Sequence, residues 1–331
     1  MPFRDIVGHR HLTALLARSV ARGTVPPTLL FAGPAGVGKW RVARALAAAV
    51  NCLAAVDGDA CGTCRSCDRI ARDVHVDVIP LVADDTGKIK IEPVREVLSR
   101  CDYRPFEGQR RVVIIRDADA LLDAAQNALL KSLEEPPPAT LFVLTSASPD
   151  ALLRTVRSRT MRLTFGRLPI DDLVRVLVRD HDIADGDARR LALLSDGSLG
   201  AALSLGSSEL TDMRDAAAML LRAAASPDLA ARLTIAKKVV GETKKDERSR
   251  REMQAVLHVA SSIVRDIAVL HAGGDRALLA NADLGDTLDR LARTLDPPAA
   301  RQAFATIDRG LNALERNAGT KLVTEWIAAE I

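Results

Sequence analysis

The rhythm of polar and apolar positions changes about halfway along this 331-residue chain. Up to residue 165, short β-prone runs alternate with segments of helical period. Beyond Arg167-Leu168-Pro169 only the helical period remains. The runs Thr28–Ala32, Val74–Leu81, Arg111–Arg116, Thr140–Ser146 and Met161–Phe165 predict five strands. Helices are predicted over residues 39–50, 92–101, 120–135 and 149–156, the third ended by Pro136-Pro137-Pro138, which cannot continue a helix. An earlier amphipathic helix lies within residues 3–22, where Leu12, Leu15, Leu16 and Val20 share one face, and Gly23 and Pro26-Pro27 stop it. This alternation predicts an α/β domain with a mostly parallel sheet. Residues 170–205 read as two or three short helices with a turn at Asp196-Gly197-Ser198, and residues 209–331 read as entirely helical.

Composition narrows the picture. Apolar residues make up 48% of the chain but aromatics only 3%, so the core must be built of Ala, Leu, Val and Ile. Forty-six basic against 43 acidic side chains leave a net charge of +3, too little for a dedicated nucleic-acid-binding adaptor. Lys237-Lys238 and the mixed-charge residues 244–251 read as solvated surface. No run of 18 apolar residues and no hydrophobic leader occur, so the expectation is a cytoplasmic protein without a membrane partner.

Three stretches carry chemistry. The first follows the first strand: Gly33-Pro34-Ala35-Gly36-Val37-Gly38-Lys39-Trp40. It fits the phosphate-binding pattern G-x-x-x-x-G-K-[ST] at every position but the last. Gly33, Gly36 and Gly38 would let backbone N–H groups curl round a phosphate, and Lys39 would reach its outer oxygens. The final hydroxyl normally holds Mg²⁺. Trp40 has no such oxygen. The third strand ends in Asp117-Ala118-Asp119. Asp117 could serve as the metal carboxylate, but Ala118 stands where many ATPases carry a water-polarising Glu. ATP binding at this loop is therefore expected to be weak or absent, and the chain is not expected to hydrolyse ATP by itself.

The second stretch is Cys52-x8-Cys61-x2-Cys64-x2-Cys67. Four thiolates at such spacing can surround a structural Zn²⁺ tetrahedrally, at about 2.3 Å each. His75 is expected to be structural, since the cysteines already complete a set of four. Cys101 lies apart and reads as an ordinary buried or half-buried thiol.

The third is the block Ala124-Ala125-Gln126-Asn127-Ala128-Leu129-Leu130-Lys131-Ser132-Leu133-Glu134-Glu135-Pro136-Pro137, followed by Arg157-Ser158-Arg159-Thr160. With the phosphate loop and the cysteine insertion in this order, these motifs resemble the clamp-loader branch of the AAA+ family. Thr160 departs from the family's usual cysteine after serine and arginine. The resemblance covers residues 1–205 well and is weak beyond.

The resemblance implies three parts: a nucleotide-binding-like domain with a zinc module (1–166), a small helical lid (167–206) and an all-α collar that assembles subunits (207–331). It implies a hetero-pentameric ring that includes gamma/tau-type motors and a delta subunit. That ring acts on a sliding clamp and primer-template DNA during replication. Within the family the chain looks like the stator, which gives an arginine to a neighbour's ATP. The motif match makes that arginine Arg159. The competing expectation is a hydrolysing motor. Trp40, Ala118 and Gly200, the last where motors of this family place a sensing Arg, all weigh against it.

Overall fold

A computed structural model describes residues 2–205, 210–224, 228–240, 247–315 and 318–331. The chain divides into two compact units, Met1–Asp172 and Leu173–Ile331.

The first unit runs α1 (Arg10–Ala21), β1 (Thr28–Ala32), α2 (Lys39–Asn51), α3 (Arg65–Ala71), β2 (Val78–Leu81), α4 (Ile91–Cys101), β3 (Arg111–Ile115), α5 (Asp123–Glu134), β4 (Thr140–Ser146), α6 (Arg154–Arg157) and β5 (Met161–Thr164). The five strands form one sheet in the order β2-β3-β4-β1-β5, and every pairing is parallel. Strands β1, β3 and β4 are buried at every residue, as a sheet covered on both faces requires. Alternate side chains go to opposite faces. Leu29, Phe31, Val112, Ile114, Leu141 and Val143 pack with α1 and α2. Leu30, Ala32, Val113, Ile115, Phe142 and Leu144 pack with α4 and α5.

Three local expectations shift. Strand β2 begins at Val78 rather than Val74, because His75 and Asp77 are buried and spend their polar groups fixing loops. Strand β5 is the sheet edge, where only Leu163 of four residues is buried. The helix expected over 149–156 splits into a 3-10 turn (Pro149–Ala151) and the single turn α6.

One buried ion pair organises the sheet's amino-terminal edge. Asp77 is fully buried and accepts N–H bonds from Phe106, Glu107 and Gly108 at 2.9, 2.8 and 2.9 Å. Oδ1, which takes the Phe106 N–H, also accepts from Arg111 Nη2 at 3.0 Å, while Oδ2 takes the other two. Arg111 also donates to the carbonyls of Arg100, Tyr103 and Arg104. Burial alone would raise the Asp77 pKa, but these donors hold it below the ordinary carboxylate range.

Every regular element among the second unit's described residues is a helix. Helix α7 (Ile170–His181) leads into it, followed by α8 (Asp185–Leu194), α9 (Leu199–Leu205), α10 (Leu210–Ala224), α11 (Leu229–Val240), α12 (Glu247–His271), α13 (Gly285–Thr294), α14 (Pro297–Glu315) and α15 (Thr320–Glu330). Helix α12 is its axis, packed by α10, α13 and α14. Its stretch Glu252–His271 has a mean hydropathy of 1.4, long and apolar enough to cross a membrane by length and composition. Interspersed polar residues hide this from a search for unbroken apolar runs. Leu257, Ala260, Ile263, Val264 and Ile267 of this helix are buried in the helical core, which accounts for its apolarity. The expected lid–collar boundary at residue 206 and part of the mixed-charge segment 244–251 lie outside the described residues.

Candidate functional site

The phosphate-loop backbone forms as its glycines predict. Gly33 N donates to Ser146 O at 3.1 Å, carrying the β1–β4 ladder one step further. A Cβ at Gly33 would lie 2.2 Å from the Phe165 carbonyl oxygen, so only glycine fits. Gly38 takes φ +100° immediately before α2, a conformation that side chains resist. The chain end braces the loop: His9 Nε2 lies 2.8 Å from Val37 O, and its ring meets Phe165 edge-on at 4.8 Å. Burial lowers the His9 pKa, and the charge of Lys39 acts in the same direction. A neutral ring facing a carbonyl carries its proton on Nε2.

The side chains tell a different story. Lys39 is buried, and its Nζ donates to Gly33 O at 2.6 Å and Pro34 O at 2.7 Å, so the ammonium is turned onto the loop's own carbonyls. Trp40 is half-buried and lines a small cleft with Arg44, Ile70, Asp73, His75, Val78, Pro80 and Ile114. The guanidinium of Arg116 lies over the indole, 5.6 Å from its centroid. Arg116 follows β3 directly, and its N–H donates to Leu81 O at 2.9 Å. Its Nε is 3.5 Å from Asp117 Oδ2. Asp117 takes a left-handed backbone, φ +51°. Asp119 accepts the Ala147 N–H at 3.1 Å and so serves the fold. At the two positions where a phosphate-loop enzyme holds its metal, this chain places an indole and a carboxylate already paired with a cation. These residues do not fit Mg²⁺. Arg116 was not singled out in the sequence. The only signal was a charged residue ending an apolar strand.

Helix α2 carries the loop at one end and Cys52 just past the other. The Sγ atoms of Cys52, Cys61, Cys64 and Cys67 all lie within 4.8 Å of one another. The Cys52–Cys67, Cys52–Cys64 and Cys61–Cys67 separations are 3.7, 4.0 and 4.0 Å. Tetrahedral zinc–thiolate geometry, with bonds of about 2.3 Å, requires about 3.8 Å. The surrounding amides suit thiolates. Cys52 Sγ accepts the N–H groups of Ala54 and Cys61 at 3.4 and 3.2 Å, and Cys61 Sγ those of Thr63 and Cys64 at 3.4 and 3.3 Å. The last two draw the Cys61 pKa down to about 6, whereas burial pushes Cys67 up to about 12. The donor set therefore fits a tetrahedral, thiophilic ion. Two arginines tie this module to its surroundings: Arg4 donates to the carbonyls of Ala60 and Cys61, and Arg44 to those of Ile70 and Ala71. His75 is buried beside Ser66, with Nε2 3.2 Å from its Oγ, and its Nδ1 accepts the Asp77 N–H at 3.2 Å. Both ring nitrogens are engaged away from the sulfurs. Cys101 is buried, as expected.

Arg159 stands apart from both. It follows α6, and its carbonyl accepts the hydroxyl of Thr28, the first residue of β1, at 2.8 Å. The loop follows the last residue of that strand. Arg159 Nε and Nη2 both reach Glu134 Oε2 at 3.1 Å, and Nη1 donates to Thr155 O at 3.1 Å. The side chain is 31% exposed and lines an open depression with Pro27, Thr28, Leu133, Glu134, Pro136 and Ser158. Glu134 sits in the block already noted, but its pairing with Arg159, 25 residues on, had no signal in the sequence.

Comparison with known proteins bears on the family of the first unit. Residues 8–169 match the family described as DNA polymerase III, delta subunit. DNA polymerase III subunit tau of Salmonella typhimurium is 35% identical over 209 residues, 61% of this chain and 32% of that one. DNA polymerase III subunit gamma/tau of Mycobacterium tuberculosis is 36% identical over 179 residues, 54% of this chain and 31% of its own. The chain thus spans about a third of the length of these relatives. A looser likeness, at 20% identity and a TM-score of 0.43, covers 95% of this chain and 96% of a DNA polymerase III gamma subunit-related protein of Thermotoga maritima.

Proposed function

Residues 8–169 belong to the clamp-loader family of AAA+ proteins, and from that premise we propose that this chain is a clamp-loader subunit of a bacterial DNA polymerase III. It works in a hetero-pentamer with gamma/tau-type motors and a delta subunit, and through them on the sliding clamp and primer-template DNA. In this reading residues 1–166 are the nucleotide-binding-like domain, 167–206 the lid and 207–331 the collar. The four cysteines hold one structural Zn²⁺, which closes a segment with too few apolar residues to fold alone.

The finer reading is the delta-prime subunit, a stator that hydrolyses no ATP and lends Arg159 to a neighbour. One observation carries it. The phosphate loop and Arg159 sit at opposite ends of β1. Five residues at about 3.3 Å each span about 16 Å, beyond the reach of one side chain. A phosphate held in this chain's own loop would lie beyond Arg159, which supports service to a neighbour. An always-charged, forked guanidinium suits that task. The curated relatives' names favour the second reading, a hydrolysing gamma/tau-type motor, at least as strongly. Trp40 and the Arg116–Asp117 pair are the observations against it.

One equilibrium titration with ATP, with and without Mg²⁺, followed by a DNA-stimulated hydrolysis assay on the isolated chain, separates them. The stator reading expects weak binding that Mg²⁺ does not strengthen, and no turnover. Tight Mg²⁺-dependent binding with turnover of about 1–10³ per second would establish the motor.

A further inference from the structure

We propose that Glu134 is the positioning residue for Arg159, holding its guanidinium so that the outer fork faces an anionic phosphate brought by a neighbouring subunit. This rests on the in-trans reading of Arg159. A guanidinium carries five N–H donors in a fixed plane. Glu134 Oε2 takes the inner edge, Nε and Nη2, and Thr155 O takes one N–H of Nη1. One N–H on each of Nη1 and Nη2 has no partner among the described residues. Two N–H groups on the outer nitrogens of one planar guanidinium can meet two oxygens of a phosphate.

The supports of this arrangement are tied to one another, although the pair itself is not buried. Glu134 is the last residue of α5, and Arg159 follows α6. Gln126 of α5 ties the two helices: its Nε2 donates to Leu121 O at 3.1 Å, and its Oε1 accepts the Leu153 N–H at 2.7 Å. The Thr28 hydroxyl fixes the Arg159 backbone at 2.8 Å. Arg159 is thus set by three elements, and Glu134 supplies the only opposite charge paired with its guanidinium among the described residues. A pre-set fork loses less side-chain freedom when the phosphate arrives, which is the benefit of preorganisation.

Glu134 at 61% side-chain exposure is well solvated, so its effect is modest. In the full ring reconstituted with its motor and delta subunits, E134A is expected to lower kcat for ATP hydrolysis about three- to fivefold and leave KM for ATP unchanged. E134Q keeps an acceptor oxygen at the same reach without the charge, and is expected to lower kcat about twofold. A merely structural role would reduce ring assembly or thermal stability, both measured alongside, and leave kcat per assembled ring untouched. An unchanged or faster kcat in E134Q overturns the proposal, and this isosteric variant decides alone should E134A fail to assemble. R159A in the same assay separates the two layers. If R159A hydrolyses like the parent, the in-trans reading falls. If R159A collapses while the Glu134 variants stay at the parental rate, only the positioning role falls.

Discussion

The two ends of β1 differ in what they keep. At the carboxyl end lies a phosphate loop whose backbone is intact and whose side-chain chemistry is not: Lys39 is turned onto loop carbonyls, Trp40 replaces a hydroxyl, and Arg116 covers the indole. At the amino end lies an arginine with no recognisable loop around it, yet held on three sides and open on the fourth. The difference teaches that a loop's backbone shape and the side chains that serve its usual reaction rest on separate requirements. The loop's shape depends on where glycines allow unusual backbone angles, and packing retains it: Gly33 lies against the Phe165 carbonyl whatever else happens. Metal binding would depend on oxygens at two positions, and a single residue can take one of them away.

The largest effect that would break this comparison is on catalysis by the assembled ring. Arg159→Ala should slow hydrolysis on the order of 10³-fold at the motor site it serves, the lower range for a finger supplied in trans. Its thermal stability should stay near that of the parent, because a solvated ion pair contributes about 1 kcal/mol at most. A large fall in melting temperature together with the rate loss would make Arg159 a structural residue instead.

Next in size is the framework behind the amino end. Asp77→Ala removes the partner of buried Arg111 and the acceptor for three N–H groups. Chemical denaturation should record a loss of about 3–5 kcal/mol from the first unit. The pH dependence follows with a defined sign. The Asp77 carboxyl is held below its ordinary pKa, so the folded state takes up its proton less readily than the unfolded chain. Its stabilisation is complete above the ordinary carboxylate range and is lost as pH falls through the lower, folded value. Acid melts should therefore separate parent and Asp77→Ala less as pH drops below about 4. A constant separation would show that Asp77 contributes no charge.

The smallest effect on either end of β1 is expected from removing the metal. Metal analysis should find one equivalent of zinc, and Cys67→Ser should bring it below half. Hydrogen exchange should then rise across residues 52–67, while an assembled ring keeps a hydrolysis rate within about twofold, because the cysteines lie past the far end of α2. Metal-free parent protein with an unchanged exchange pattern would sink the zinc assignment.

What could be read from the chain follows from how local each feature is. Strands β1 and β4 were expected at their observed limits, since a run buried on both faces is continuously apolar. The cysteine cluster was legible because thiolate spacing is a local property. Strand β2 was overextended because Val74, Val76 and Val78 alternate correctly, and nothing nearby betrays that His75 and Asp77 point into buried polar contacts. Glu134 and Arg116 were missed for a related reason: each owes its role to a partner on another element, Arg159 and Trp40 respectively.

The sequence by itself determined the parallel α/β order, the loop's backbone, the four-sulfur set and the absence of a hydroxyl at position 40. Each depends on residue type and spacing within a few tens of positions. Only the tertiary structure decided that Arg159 lies at the opposite end of β1 from the loop, and that Glu134 pairs with it. It also decided that Arg116 rests on Trp40 beside Asp117. Those outcomes depend on which strand ends the parallel sheet brings together, and spacing along the chain does not encode that proximity.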